Sequence, residues 1–342
     1  MIEFDEAIVN NLIFHKIGSE QTMSFLNESE YNLNNEEEEE TLKRIFLKPF
    51  TSAISTYEFS HDIDIELNVL FSLIKGLLKD EPFIEKSQSI HQHLKSVSKH
   101  PNIKEGELFV LKFDNLKMGN NYYQGVGIYK IENKENFIET SHSQNEELGL
   151  NFKKGIGTRK LDKACLILAT EEPYTVLIID NASIETDYWV NDFAKVKLRK
   201  DYINSTSQFL TLTKSFITDQ ITNDFEVTKA EQIDLLNRSV DYFKTHDTFE
   251  KEVFEKEVFQ ESSVINSFRS FDTSYCENND LELSDSFEIS SQAVKKQARI
   301  FKSVLKLDKN FHIYIHGDKD LIEQGVEKDG RKFYKIYYQD ES

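Results

Sequence analysis

The stretch Glu107–Ile131, ELFVLKFDNLKMGNNYYQGVGIYKI, decides the fold class. Leu108, Val110, Leu111 and Phe113 form one apolar run, and a second extends from Tyr122 to Ile131. Between them Gly119-Asn120-Asn121 supplies residues that tolerate the backbone of a tight turn, so the stretch predicts two antiparallel strands. The same pattern recurs at Lys163–Thr170 and Tyr174–Asp180 around Glu171-Glu172-Pro173. Residues 107–200 are therefore expected to form an antiparallel sheet lobe.

Outward from this lobe the period changes. Residues 2–17 suit an opening strand or short helix. The run Glu36–Glu40 reads as a solvated helix start, because carboxylates complement the helix N-terminal dipole. Apolar residues recurring every three or four positions predict helices over Thr41–Glu58, kinked or broken at Pro49, and over Glu66–Leu78 and Glu85–Lys99. Helices are expected again over Ser205–Thr222 and Lys229–Lys244, the second capped by Thr228 with Glu231 three residues on. The pentads Phe249–Val253 and Phe254–Val258 read as one charged helix. The polar stretch 272–288 reads as a loop or hinge. A short helix over Ser291–Arg299 leads into strands near Ile300–Leu307 and Phe311–His316. A last hairpin turns at Asp329-Gly330, completing a C-terminal β-meander. The class is α+β: N-terminal helices, an antiparallel sheet lobe, central helices and the meander. Two domains are expected, 1–200 and 201–342.

Composition narrows the function classes. With 342 residues, 39% hydrophobic, the chain has ample core material and is not of the disordered class. Cys165 and Cys276 stand far apart without C-x-x-C partners, which disfavours a disulfide framework or structural zinc and fits a reducing compartment. The start Met1-Ile2-Glu3-Phe4 has no basic leader, and no apolar run reaches membrane-spanning length. A cytoplasmic protein is expected.

No catalytic motif emerges, and neither cofactor nor metal is expected. Gly155-Ile156-Gly157-Thr158-Arg159-Lys160 lacks the spacing of a phosphate loop and is followed by a strand rather than a helix. His91 and His93 would diverge on a helix, and His312 and His316 stand too far apart on a strand for chelation. The pairs Asp62/Asp64 and Asp318/Asp320 could hold a divalent ion as in a nuclease, but 60 acidic residues make such spacings common by chance.

The informative feature is clustered positive charge in a chain whose net charge is −19. Lys153, Lys154, Arg159, Lys160 and Lys163 face one acid, Asp162. Lys195, Lys197, Arg199 and Lys200 face none. Lys295, Lys296, Arg299, Lys302, Lys306 and Lys309 face Asp308 alone. On one helix Lys295 and Arg299 would share a face. Such islands suit non-specific neutralisation of phosphates, although a charge run is as often a solvated face. Local distribution, not net charge, sets the partner.

Three stretches resemble the bacterial nucleoid-associated protein family of the NdpA type. They are Ile8-Val9-Asn10-Asn11-Leu12-Ile13-Phe14-His15, Ser205-Thr206-Ser207-Gln208-Phe209-Leu210, and the block from Ala298-Arg299-Ile300-Phe301 through Phe311-His312-Ile313-Tyr314-Ile315-His316 to the final hairpin. The resemblance implies a non-enzymatic protein located on the nucleoid and associating with double-stranded DNA. It fixes no DNA-contacting residue, so the candidate contacts rest on charge clustering. An adaptor recruited by a DNA-processing partner and a metal-dependent nuclease are the competing readings, and a homo-oligomer is compatible with all three.

Overall fold

The computed structural model describes residues 2–19, 22–53, 55–100, 103–142, 148–158, 160–181, 188–279, 281–299, 301, 304–315 and 321–340. The chain divides into two compact units, Met1–Arg199 and Lys200–Ser342.

The first unit opens with β1 (Ile2–Glu3) and β2 (Ile8–Ile17), then α1 (Glu36–Phe46), β3 (Tyr57–Phe59), α2 (Val69–Leu78) and α3 (Phe83–Val97). The strands β4 (Gly106–Met118), β5 (Asn121–Ile131), β6 (Glu135–His142), β7 (Leu148–Gly155), β8 (Lys163–Leu168), β9 (Thr175–Asp180) and β10 (Val196–Leu198) follow. The glutamate run does start a helix: Asn35 caps α1 by accepting the Glu38 amide at 2.9 Å. That helix ends at Phe46, not Glu58. Pro49 opens a short 3-10 turn, Lys48–Ser52, and the rest becomes loop and β3.

The sheet runs β1-β4-β5-β8-β9-β3-β10, with β2 also on β4, and every pair is antiparallel. Both faces are covered. On one, Leu108, Val110, Val126, Ile128, Cys165 and Ile167 pack against α2, α3 and Trp189. On the other, Leu111, Phe113, Tyr129, Leu166 and Leu168 meet Phe46 and Phe50. Two-sided burial explains why β8 reads as a continuous apolar run instead of alternating. One hairpin stands outside the sheet: β6 and β7 pair only with each other.

The second unit contains α4 (Tyr202–Ser215), a π-helical turn at Phe216–Gln220, α5 (Ile221–Asp224) and α6 (Lys229–Thr245). Thr228 and Glu231 form the expected capping box. The elements β11 (Thr248–Glu250), α7 (Lys251–Val258), α8 (Ser262–Asn279), β12 (Ser286–Glu288) and α9 (Ser291–Gln297) follow. Phe209, Phe216, Phe249, Phe254 and Phe268 form its core. The pentads are thus not one helix. The first begins in β11, where Phe249 lies opposite Phe287 of β12, and only from Lys251 does the chain coil.

The stretch 272–288 is likewise more than a loop. Its first part belongs to α8, whose Ser270, Thr273 and Ser274 hydroxyls each donate to a carbonyl four residues back. Asp272 is buried there and accepts from Lys251 Nζ at 2.5 Å. The unit closes with two separate ribbons, β13 (Val304–Leu307) with β14 (Phe311–Tyr314), and β15 (Ile322–Val326) with β16 (Lys332–Ile336). Among the described residues no helix is long and apolar enough to cross a membrane.

Candidate nucleic-acid interface

The structure separates the first island into three environments. Lys153 and Lys154 lie on the exposed ribbon β7, and Lys153 Nζ pairs with Glu139 of β6 at 2.5 Å. Lys154 is exposed, with no partner among the described residues. The glycine-bearing segment after β7 forms a bend leading to β8, not a phosphate-cradling helix start. Lys160 there donates to the Asn181 carbonyl at 3.3 Å. It lines a cavity of 760 Å³ together with Lys48, Ser55, Tyr57, Thr158 and Asp180. Arg159 and Lys302 lie outside the described residues, as do His316, Asp318 and Asp320.

Lys163 leaves the surface altogether. Register places Lys130, Lys163 and Asp180 on one rung across β5, β8 and β9. Lys163 Nζ donates to Asp180 at 2.6 Å and lies 4.9 Å from the Tyr188 ring centroid. Lys130 is 0% exposed; it donates to Glu132 at 2.7 Å, the Lys104 carbonyl at 2.6 Å and the Tyr188 hydroxyl at 3.2 Å. Burial lowers the Lys130 ammonium and raises the Tyr188 phenol from their ordinary values. Asp162, the one acid counted in the island, is buried too. It accepts from the amides of Glu132 and Asn133 at 2.8 and 3.0 Å. These charges hold the sheet end together and cannot reach phosphate.

In the second island Lys195 is exposed with φ 48°. Lys197 faces Glu58 across the β10–β3 pair at 3.5 Å. Arg199 is half-buried and its amide bonds to the Thr56 carbonyl at 3.0 Å. Lys200 opens the second unit and pairs with Glu282.

In the third, α9 stops at Gln297, so Arg299 sits in the turn beyond and shares no helix face with Lys295. Ser290 caps this helix and its amide donates to Thr206 at 3.0 Å, tying it to α4. Lys295 and Arg299 are exposed without partners among the described residues. Lys296 is half-buried, its ammonium lowered first by burial and then by Arg299.

A fourth basic group escaped the sequence reading. Lys95, Lys99, His100 and Lys104 line a cavity of 710 Å³ at the end of α3, together with Glu105 and Glu132. Its signal was available: residues 95–104 carry these cations and no acid.

His15, His91 and His93 serve packing. His15 of β2 accepts the Asn27 amide on Nδ1 at 3.1 Å, so its proton sits on Nε2, which donates to Ser87 Oγ at 3.0 Å. Burial, with His91 nearby, pushes its pKa down to about 4. His91 and His93 donate to the Lys16 and Phe193 carbonyls at 3.1 and 3.0 Å. Asp64 caps a 3-10 turn, accepting the Glu66 amide at 3.0 Å. Among the described residues no three His, Cys, Asp or Glu side chains gather as a metal group.

Fold and surface together define an α+β protein of two compact units, each of which carries exposed lysines or arginines. Residues 13–336 match the family described as nucleoid-associated protein YejK, and the chain belongs to that family. No curated protein and no solved structure matches it.

Proposed function

We propose that the chain binds double-stranded DNA non-specifically at the nucleoid, through lysine and arginine contacts to the phosphate backbone and without catalysis. Membership of a nucleoid-associated family over residues 13–336 carries this reading. The cations best suited are those exposed and unpaired among the described residues: Lys154, Lys195, Lys295 and Arg299. Lys99 and Lys104 add a group at the mouth of the α3 cavity.

Phosphate neutralisation releases counterions, so log affinity should fall linearly with log salt, with a slope of roughly −0.9 per contact. Neutralising Lys154, Lys195, Lys295 and Arg299 together should flatten that slope by up to about 3–4. Binding that is insensitive to salt, or absent at low salt, rejects direct contact. Plasmid left intact with Mg²⁺ or Mn²⁺ supports the non-catalytic reading.

One observation favours a second reading, an adaptor held at the nucleoid by a DNA-processing protein. Lys153, Lys197 and Lys200 face carboxylates of the same chain, whose net charge is −19. Capture of such a partner that survives nuclease treatment, with no DNA binding by the pure chain, would select it.

A further inference from the structure

The last ribbon, β15–β16, has two unlike faces. Register pairs Ile322 with Ile336 and Gln324 with Tyr334, and from this face Ile322 and Tyr334 pack against the apolar cluster of Ile233, Leu305 and Ile315. The other face looks outward. Along β16 and the residue on either side of it, this face carries Arg331, Phe333, Lys335 and Tyr337, so cation and aromatic ring alternate at every second residue. The pairing reaches all four: the Glu327 amide donates to the Arg331 carbonyl at 2.8 Å, and the Tyr337 amide to the Leu321 carbonyl at 2.9 Å. Phe333 is 36% and Tyr337 39% exposed.

A glycine explains how the first ring is presented. Gly325 lies opposite Phe333, and a Cβ there would fall 2.4 Å from Phe333 Cζ and 2.7 Å from Cε1. Only without a side chain at 325 can the ring lie across the ribbon, one π-face on the backbone and the other open to solvent. Lys335 Nζ stands 4.6 Å from the Tyr337 ring centroid and donates to its hydroxyl at 2.5 Å, holding cation and ring together. Carboxylates do approach the cations, Glu323 at 3.7 Å from Lys335 and Asp329 at 2.7 Å from Arg331. Exposed pairs of this kind are weak, so a phosphate can take the carboxylate's place. The ribbon β13–β14 has the same composition on its outer face, where Lys306 lies opposite His312 and Tyr314 is 65% exposed.

We propose that the outward face of β15–β16 binds single-stranded DNA, with bases stacking on Phe333 and Tyr337 and phosphates meeting Arg331 and Lys335. The two rings stand about 13 Å apart along the strand, a span of two nucleotides in a stretched single strand. Cations tracking a backbone between aromatic platforms are what sequence-tolerant single-strand binding requires. A duplex cannot use the rings, because its bases already stack on one another. An apolar protein partner would have to desolvate both cations. The proposal rests on the reading that the chain contacts DNA, and adds which strand state its second unit recognises.

The full chain is tested by fluorescence anisotropy with labelled oligothymidine, which forms no paired structure, and with a duplex of equal length, over a salt series. Oligothymidine should bind. Phe333→Ala should weaken that binding roughly five- to 150-fold, the loss of one stacked base, and leave duplex binding unchanged. Arg331→Gln with Lys335→Gln should reduce the salt slope by about 1.4, at about 0.7 per contact on a single strand. Should Phe333→Ala unfold the ribbon, Phe333→Leu carries the test, because it keeps the apolar bulk and removes the π-face; Phe333→Tyr should retain affinity. Duplex binding without oligothymidine binding overturns this proposal and leaves the duplex reading standing, whereas no binding of either at low salt overturns both. Oligothymidine binding that Phe333→Ala and Phe333→Leu leave unchanged in folded protein overturns it too, as does tighter binding of oligouridine than of oligothymidine.

Discussion

The hairpins β4–β5 and β6–β7 are built by the same local rules and end in opposite environments. Both pair two antiparallel strands of the first unit, and both carry lysines. In the first, Phe113 and Lys130 are 0% exposed; in the second, Phe152 is 78% exposed and Lys153 stands in solvent. The difference comes from what lies above the strands: helices and aromatic rings over β4 and β5, solvent over β6 and β7. A residue type thus has no energetic meaning until its neighbours from distant sequence are known.

Paired substitutions test this contrast most severely. Phe113→Ala should cost about 3–5 kcal/mol by leaving a cavity, whereas Phe152→Ala should change stability by less than about 0.5 kcal/mol. Urea denaturation measures both, and equal costs would break the contrast. Lys130→Met should cost about 3–5 kcal/mol, because it strands the Glu132 carboxylate without its partner. Adding Glu132→Gln should recover part of that loss.

The first unit should also carry a pH dependence of stability. His15 binds its proton less readily folded, at about 4, than unfolded, at about 6.5. Its contribution is complete above pH 6.5 and is lost as pH falls towards 4, on the order of 2 kcal/mol. His91 and His93, both lowered chiefly by burial, add in the same direction. His15→Gln should flatten the stability profile between pH 6.5 and 4, and an unchanged slope would reassign it. Smallest of all, Lys153→Ala should alter stability by less than about 0.5 kcal/mol, as exposed ion pairs do. If the ribbon touches DNA, the same substitution should reduce the salt slope by about one.

What could be read from the sequence was local. The Thr228–Glu231 cap, the Gly119–Asn121 turn and the helix expected over Glu66–Leu78, which begins at Val69, each depend on residues within a few positions of one another. The continuation of α8 to Asn279 was hidden because Ser, Thr and Asn favour loops in composition. In the helix the Thr273 and Ser274 hydroxyls and the Asn279 amide are satisfied by carbonyls four residues back. The ribbon β6–β7 was missed because its apolar side chains are few and separated by polar ones.

By itself the sequence determined the α+β class, the main hairpins and the existence of basic clusters, because periodicity, capping and composition act over short spans. Tertiary structure alone decided which clusters remain available. Lys163 looked like its neighbours Lys153 and Lys160, yet the β8–β9 register sets it against Asp180 beneath Tyr188. Lys99 and Lys104 stand in an acid-free run of the sequence, but only the end of α3 brings them to one cavity. Burial and ion pairing are set by contacts between residues far apart in the chain, and no local pattern encodes them.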